Sequence, residues 1–415
     1  MPNPVKINNL PVENPKVLLA ALDWGLGHAT RCIPIIKELV NQKCTVIVAV
    51  SGAQKEVFDR EIPDLDIVEI PGYDIKYDKN RALTILRLIF SIPKILIRVK
   101  RENAWIRRWA RLERPDLIIS DNRYGLYVPG VVSVFMTHQL LIRTPWGGTA
   151  DRWLQRMNYS LIRRFRMCWV PDVEGQDGLA GELSHPKRMP GVPVRYVGWL
   201  SRFGGRAAAA GTPVEGVDLL ILLSGPEPQR SLLERRLLDQ LADYSGRVVL
   251  VRGLPAGAST AGPAAAPSGQ RLSVPPGVKV YDHLPAAELE PLIRGAEQII
   301  CRPGYSTVMD LVRLGRRAIV VPTPGQTEQE YLGNYLASRG GAICADQKGF
   351  SLMDALAAAR GEWGVQGLAT GEGREMDIPG VRPLPDPSAG EGLLQQAIAE
   401  VLAQVRSKNS NSAGM

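Results

Sequence analysis

The sequence predicts an α/β protein with two parallel-sheet domains, and three observations carry that prediction. With 415 residues the chain exceeds one ordinary hydrophobic core, so two domains of about 200 residues are expected. Short apolar runs alternate with helical stretches, as in parallel sheets whose two faces are covered by helices. A Gly/Ala-rich passage at 202–216 interrupts the alternation, which then begins again. We therefore expect two Rossmann-like domains that face a common cleft.

Six apolar runs predict the strands of the first domain, which we place at residues 1–200. Between the first two runs, Ile33, Ile36, Leu39 and Val40 recur at helical spacing and predict a helix. The strands are expected at 16–22, 44–50, 65–70, 116–120, 131–136 and 167–171.

The second domain is expected at 217–406, after a linker at 201–216 and before a disordered polar tail at 407–415. Its last helix is amphipathic and is a candidate to return to the first domain. The low-complexity stretch 256–270 predicts a disordered loop, and the Gly/Pro-rich stretch 361–389 predicts irregular structure. The strands are expected at 217–224, 247–253, 277–282, 297–302 and 316–322, and the helices at 229–244, 288–296, 305–315, 329–338 and 391–405.

Composition and charge limit the class of protein. Hydrophobic residues make up 45% and charged residues 22%, as in soluble globular proteins. The five cysteines are scattered, which argues against a disulfide framework or a structural zinc site and is typical of the reducing cytosol. The N-terminal segment lacks an apolar core of signal-peptide length, so a cytoplasmic protein is expected. Residues 1–200 hold 29 Lys/Arg against 20 Asp/Glu, which favours an anionic ligand or surface for the first domain.

The stretch LDWGLGHATR, residues 22–31, follows the first predicted strand, where ligands of open parallel sheets bind. Gly25 and Gly27 allow close backbone approach, and the next helix and Arg31 would face an anion. His28 adds a titratable group at the same place. The alternative is a tight turn with a capping histidine. The stretch is not the dinucleotide fingerprint, because the third glycine and the acidic residue after the second strand are missing.

Three further segments complete a recognisable pattern. SGPEPQRS at 224–231 follows the first strand of the second domain, and RPGYSTVMD at 302–310 follows a later one. MTHQL at 136–140 ends a strand of the first domain, and a further strand leads into PTPGQTEQE at 322–330. Together with GLGHATR, these segments resemble glycosyltransferase family 28, in the right order and across both domains. The resemblance implies the GT-B fold and a nucleotide-sugar donor, expected to be a UDP-sugar, on the second domain.

The resemblance also implies roles for individual donor-domain residues. Arg230 and the turn before it would hold the diphosphate, Asp310 would accept the ribose hydroxyls, and His283 would meet the base. Asp stands where the family usually has Glu, and Gln329 and Glu330 stand where many members have two Gln, so the donor sugar stays open. The alternatives are a solvated Arg230, a surface Asp310 and an ordinary loop histidine. The whole predicted donor set is Ser224, Gly225, Arg230, His283, Arg302, Gly304, Ser306, Thr307, Asp310, Gln329 and Glu330.

The predicted function is that of an inverting glycosyltransferase, which needs a base for the acceptor hydroxyl and charge stabilisation for the leaving diphosphate. His28 is the first candidate for the base or for holding the acceptor, and His138 and Asp121 are the alternatives. No metal and no cofactor besides the nucleotide sugar are expected. The rival functions are a nucleotide-sugar hydrolase, a nucleotide-sugar 2-epimerase, and a non-catalytic nucleotide-binding or membrane-scaffold protein.

A basic, partly apolar segment in the first domain predicts the acceptor environment. Ten Lys/Arg and two acids lie between Arg81 and Arg114. Arg87, Lys94 and Arg98 interrupt the apolar run, and Pro93 is expected to kink it, so it should not span a bilayer. It suits the surface of an anionic membrane, and a basic cluster at 152–166 supports this. A lipid or lipid-linked acceptor and a peripheral membrane location are therefore candidates, ordinary solvated helices are the alternative, and no nucleic-acid partner is expected.

Overall fold

The computed structural model describes residues 14–23, 25–52, 54–72, 81–144, 146–203, 216–254, 273–363 and 385–413. They form two α/β units, each built on a parallel sheet. The structure thus confirms the predicted fold class. The predicted loop at 256–270 lies outside the described residues, as do most of the predicted linker and most of the Gly/Pro-rich stretch.

The first sheet has seven strands in the order β3-β2-β1-β4-β5-β6-β7. Its central strands are buried along their whole length, which explains why the sequence reads as continuous apolar runs there. The strands are β1 Lys16–Ala21, β2 Thr45–Val50, β3 Asp66–Glu69, β4 Leu117–Asp121, β5 Val132–Met136, β6 Met167–Val170 and β7 Val194–Tyr196, and the helices are α1 Leu26–Asn41, α2 Gln54–Glu61, α3 Arg81–Glu113 and α4 Gly148–Ile162.

The second sheet has six strands in the order β10-β9-β8-β11-β12-β13. The described strands are β8 Leu219–Leu222, β9 Val248–Val251, β10 Val278–Tyr281, β11 Gln298–Cys301, β12 Ala318–Val320 and β13 Ala342–Cys344, and the helices are α5 Gln229–Leu241, α6 Ala286–Gly295, α7 Tyr305–Arg313, α8 Thr327–Ser338, α9 Leu352–Trp363 and α10 Leu393–Ala413.

In both sheets the chain order reverses next to the first strand of the domain. β1 lies between β2 and β4, and β8 lies between β9 and β11. The loops that leave such a pair of strands diverge to opposite faces and open a crevice, which is where doubly wound sheets bind ligands. This topology places the loops after β1, β4, β8 and β11 at the two binding crevices.

The C-terminal helix returns to the first domain. α10 packs on α1 and β5, and Arg195 pairs with Glu400 at 2.8 Å. The predicted disordered tail is wrong for residues 407–413, because α10 continues to Ala413. Extending a helix that is already anchored by buried residues fixes one residue per hydrogen bond, and this polar run contains no glycine or proline before Gly414.

Other departures from the sequence predictions concern short elements. β7 and β13 have three residues each, and α2 and α9 were not predicted. α9 occupies the start of the stretch predicted to be irregular. The basic segment forms one helix of 33 residues, α3, which includes Pro93. Within the described part of the chain, no helix is both long enough and apolar enough to cross a membrane.

Candidate functional site

His28 and Asp121 meet at the crevice of the first sheet. Asp121 is the last residue of β4 and pairs in register with Ala21, the last residue of β1. His28 lies in the first turn of α1, the helix that follows β1. Its Nδ1 is 2.8 Å from Asp121 Oδ2. Two residues that are 93 positions apart in sequence therefore form a pair because their strands are neighbours.

Arg31 holds this pair from the next turn of α1. Its Nε donates to Asp121 Oδ2 at 2.9 Å, and its Nη2 donates to Asp121 Oδ1 and lies 2.7 Å from His28 Nδ1. Asp121 is fully buried, and the Arg31 side chain is 2% exposed. The sequence predicted that Arg31 faces an anion. In this structure its donors are directed to Asp121 and the two histidines, so it orders the catalytic candidates.

Burial and the neighbouring charges set the protonation state of His28. Burial and the neighbouring Arg31 guanidinium lower the pKa of His28, in spite of the opposing effect of Asp121. Burial alone would raise the pKa of Asp121, but Arg31 and His28 outweigh it and lower that pKa to about 2. At neutral pH the cluster therefore holds a neutral imidazole beside an ionised carboxylate. That is the protonation state a histidine base requires.

His138 lies between the two domains. It follows β5, and its Nδ1 is 3.3 Å from Arg31 Nη1. Its Nε2 is 2.6 Å from Oε1 of Glu328, in the first turn of α8. Its ring is stacked on Tyr305 of α7, with centroids 4.2 Å apart. The three catalytic candidates are thus in one cluster, and residues of the donor domain complete it.

The start of α7 touches the loop that carries His28. Ser306 Oγ donates to the carbonyl oxygen of Gly27 at 2.8 Å. A Cβ on Gly27 would lie 3.1 Å from that hydroxyl, so only a residue without a side chain fits comfortably. Gly25 has a φ of 86°, in the region that favours glycine. Local geometry therefore explains why glycine occupies both positions. The N-terminus of α7 lies beside the base candidate.

Asp310 is buried at the junction of the domains. Its Oδ1 accepts a hydrogen bond from Ser201 at 2.6 Å, and Oδ2 is 3.5 Å from Arg202 Nε. Burial raises the pKa of Asp310, and Arg202 and Ser201 oppose the rise. Nε and Nη1 of Arg202 are buried without a hydrogen-bond partner, as is Nε2 of His283. Burial, Arg202 and Arg60 lower the pKa of His283 to about 4. This corner offers buried donors and acceptors for a polar ligand.

Two arginines of the predicted donor set serve as braces within the second domain. Arg230 is 2% exposed and donates to Glu227, Glu234 and Ser231. Arg302 is fully buried and donates to the carbonyl oxygens of Gln229, Val321 and Pro322 and to Gln347 Oε1, and its burial lowers its pKa to about 9. Their donors hold loops together in this structure, and their role in donor binding stays a prediction.

The remaining predicted donor residues line the turns of the second crevice. Gln329 accepts from the amide of Thr323 at 2.9 Å, and Glu330 accepts from the amide of Gly325 at 2.9 Å. They shape the turn before α8. The other residues lie at strand ends or at the start of α7, namely Ser224 and Gly225 after β8, and Gly304, Ser306 and Thr307 after β11.

Three residues of the site were missed by the sequence analysis: Arg202 beside Asp310, and Tyr305 and Glu328 beside His138. Arg202 had been assigned to the linker. Tyr305 and Glu328 sit inside the two motifs that were identified. Their contacts with the first domain depend on how the domains dock, which no local pattern reports.

Comparisons with known proteins agree with this fold. Residues 271–360 match the family model described as the glycosyltransferase family 28 C-terminal domain. A UDP-N-acetylglucosamine–N-acetylmuramyl-(pentapeptide) pyrophosphoryl-undecaprenol N-acetylglucosamine transferase of Desulforudis audaxviator is 26% identical over 254 residues, which cover 49% of this chain and 67% of the relative.

Solved structures share the fold across nearly the whole chain. The glycosyltransferase SnogD from Streptomyces nogalater has a TM-score of 0.55 at 18% identity, covering 95% of this chain and 100% of its own. MurG of Acinetobacter baumannii has a TM-score of 0.51 at 15% identity, covering 93% of this chain and 99% of its own. At these identities the likeness establishes the two-domain GT-B architecture.

Proposed function

We propose that this glycosyltransferase, whose residues 271–360 match the family 28 C-terminal domain, transfers a sugar from a UDP-sugar to an acceptor hydroxyl with inversion. The observation that carries the proposal is the position of the His28–Asp121 pair. The pair lies on the acceptor domain, and its loop is hydrogen-bonded to the start of α7, the helix that bears Asp310 on the donor domain.

We assign the base to His28. His28 Nδ1 lies 2.8 Å from Asp121 Oδ2 and 2.7 Å from Arg31 Nη2, and the base role takes the tautomer in which Nδ1 carries the proton and donates it to Oδ2. Nε2 then keeps its lone pair, and it has no hydrogen-bond partner among the residues that the structure describes. The acceptor hydroxyl gives its proton to Nε2 as its oxygen bonds to the anomeric carbon. The bond from that carbon to the diphosphate breaks, and its electron pair leaves with the diphosphate.

His138 and Asp121 support this step in other ways. Both nitrogens of His138 are engaged, one by Arg31 and one by Glu328, so neither is free for an acceptor proton. Asp121 is fully buried and has both oxygens bonded. Its charge holds the His28 tautomer and stabilises the imidazolium that forms.

The donor binds in the second crevice under this proposal. Amides at the starts of α5, α7 and α8 suit a diphosphate, because helix N-termini attract anions. Asp310 accepts ribose hydroxyls once Ser201 is displaced or shared, and Arg202 has the buried Nη1 to offer. UDP is favoured as the nucleotide because the Desulforudis relative is named for a UDP-sugar donor. No metal is required in this scheme, since N–H donors neutralise the leaving group.

The acceptor is proposed to be lipid-linked, with the protein at the cytoplasmic face of an anionic membrane. The same relative is named for a pyrophosphoryl-undecaprenol acceptor. The exposed Trp146 and Trp153 lie at α4 beside basic residues, and Lys94 is exposed on α3. Indole rings and cations together favour the interface of an anionic bilayer.

Two assays test these proposals. The purified protein is incubated with a panel of UDP-, GDP-, CDP- and TDP-sugars, with and without a lipid extract, and nucleotide release is measured. Lipid-dependent release of UDP is expected, and lipid-independent release would favour the hydrolase. Co-sedimentation with vesicles containing an anionic lipid tests the surface, with Arg87, Lys94 and Arg98 changed together to Glu. Equal sedimentation of the variant and the wild type would contradict the membrane proposal.

A further inference from the structure

Glu328 connects the donor domain to the catalytic cluster. Its carboxylate reaches 190 residues back along the chain to His138 Nε2, at 2.6 Å. The His138 side chain is 4% exposed and that of Glu328 24% exposed. Tyr305 stacks on the same ring with an interplanar angle of 4°. One imidazole of the first domain is therefore held by two side chains of the second.

The hydrogen-bond directions at His138 follow from its partners. Arg31 Nη1 can only donate, so His138 Nδ1 accepts and carries no proton. The ring proton is then on Nε2, which donates to Glu328. A continuous chain results, from Glu328 through His138 and Arg31 to Asp121 and His28.

The backbone of Glu328 is fixed by the turn that precedes α8. The neighbouring Gln329 and Glu330 accept hydrogen bonds from amides of this turn, and Thr327 Oγ1 donates to the carbonyl oxygen of Arg143 in the first domain at 3.0 Å. A ligand that moves this turn would therefore also move the carboxylate on His138.

We propose that Glu328 is a positioning residue, which orders the His28–Asp121 pair when the donor domain is docked on the acceptor domain. The proposal rests on the proposed function, since His28 is the base there. It makes Glu328 act through His138 and Arg31 and not on the donor itself. Its loss should lower turnover and leave nucleotide affinity unchanged.

The experiment compares Glu328→Ala, Glu328→Gln and the matched control Glu288→Ala, an exposed acid in the first turn of α6. Glu328→Ala should lower kcat about tenfold or more, the effect of losing one charged hydrogen bond. Glu328→Gln should keep most of kcat, because its amide oxygen accepts the same Nε2 proton. The loss of kcat in His138→Asn should be about as large as in Glu328→Ala. The double variant that carries both changes should lose no more kcat than either single variant. UDP affinity, measured by calorimetry, and the melting temperature of each variant are recorded beside kcat.

Three results would overturn the proposal. Losses that multiply in the double variant would show that the two residues act separately. A loss of UDP affinity with kcat retained would make Glu328 a donor contact. If kcat of Glu328→Gln is no higher than that of Glu328→Ala, the proposed direction of the Nε2 hydrogen bond is contradicted.

Hydrogen exchange of the free protein separates this proposal from the proposed function. Amides of 26–31 and 136–140 should exchange faster in Glu328→Ala than in the wild type or in Glu288→Ala. Unchanged exchange would overturn the positioning role whatever the transfer assay gives. Absence of transfer from every donor, with exchange altered, would instead overturn the proposed function and leave the contact supported.

Discussion

Replacing Asp121 with Asn tests how the buried cluster is held together. The variant keeps the shape of the side chain but removes the charge that faces Arg31 and His28. The pKa of Asp121 lies at about 2, against an ordinary value of 3.8. That difference corresponds to about 2–3 kcal/mol of folding free energy. We expect Asp121→Asn to lower the free energy of unfolding at pH 7 by at least this much, because Arg31 is left buried without its counter-ion.

The stability lost in Asp121→Asn should depend on pH in a defined direction. A carboxylate with a lowered pKa in the folded state stabilises above its unfolded pKa, and the contribution is lost as pH falls through the folded pKa. The deficit of the variant should therefore be full at pH 7, about half as large at pH 3, and absent at about pH 1. Urea unfolding at pH 7 and pH 3 measures it, with Asp59→Asn, an exposed residue of α2, as the matched control. A deficit of the same size at both pH values, or none at all, would refute the ion-pair reasoning.

Three further predictions concern UDP binding, the pH dependence of activity and the need for a metal ion. Asp310→Ala should weaken UDP binding by about 1–3 kcal/mol, the cost of losing charged hydrogen bonds; calorimetric titration with unchanged affinity would remove Asp310 from the donor site. Because the pKa of His28 is lowered from 6.5, kcat/KM should stay level through neutral pH and fall only on the acid side, with a midpoint below 6.5; a midpoint above 6.5 would exclude a neutral His28 as the base. Transfer should survive EDTA at full rate, and loss of activity that added Mg²⁺ restores would contradict the metal-free scheme.

The sequence predicted the sheets well because their physical signal is local. Buried parallel strands need continuous apolar runs, so β1, β4 and β11 were placed within one or two residues. Three-residue strands such as β7 and β13 are too short to give that signal. The helical end of α10 was missed because its stability comes from packing on α1, which the polar composition of the tail does not reveal.

The candidate site was predicted in part. His28, His138 and Asp121 were identified because each follows or ends a strand, where ligands bind in doubly wound sheets. Their mutual contacts could not be predicted, since these depend on β1 and β4 being neighbours. Whether an arginine faces a ligand or braces a loop likewise depends on tertiary contacts, so the sequence did not predict the bonds of Arg230 to Glu227 and Glu234.

The contacts between the domains were beyond the sequence altogether. Arg202 and Glu328 acquire their partners only when the two domains dock. Arg202 lies in the segment predicted to be the linker, and Glu328 lies in the PTPGQTEQE motif. Which residues they contact depends on the tertiary arrangement.

The central claim is that His28 is the base on the acceptor domain, and one pair of variants tests it most directly. His28→Ala is compared with His185→Asn, a histidine of the same domain that bonds to Ser184 and to the carbonyl oxygen of Val173, away from the cluster. Sugar transfer, UDP affinity and melting temperature are measured for both. We predict that His28→Ala lowers kcat by about 10²–10⁴-fold, the range for a general base, with UDP affinity unchanged. His185→Asn should lower the melting temperature and keep kcat. A fully active His28→Ala enzyme would contradict the account.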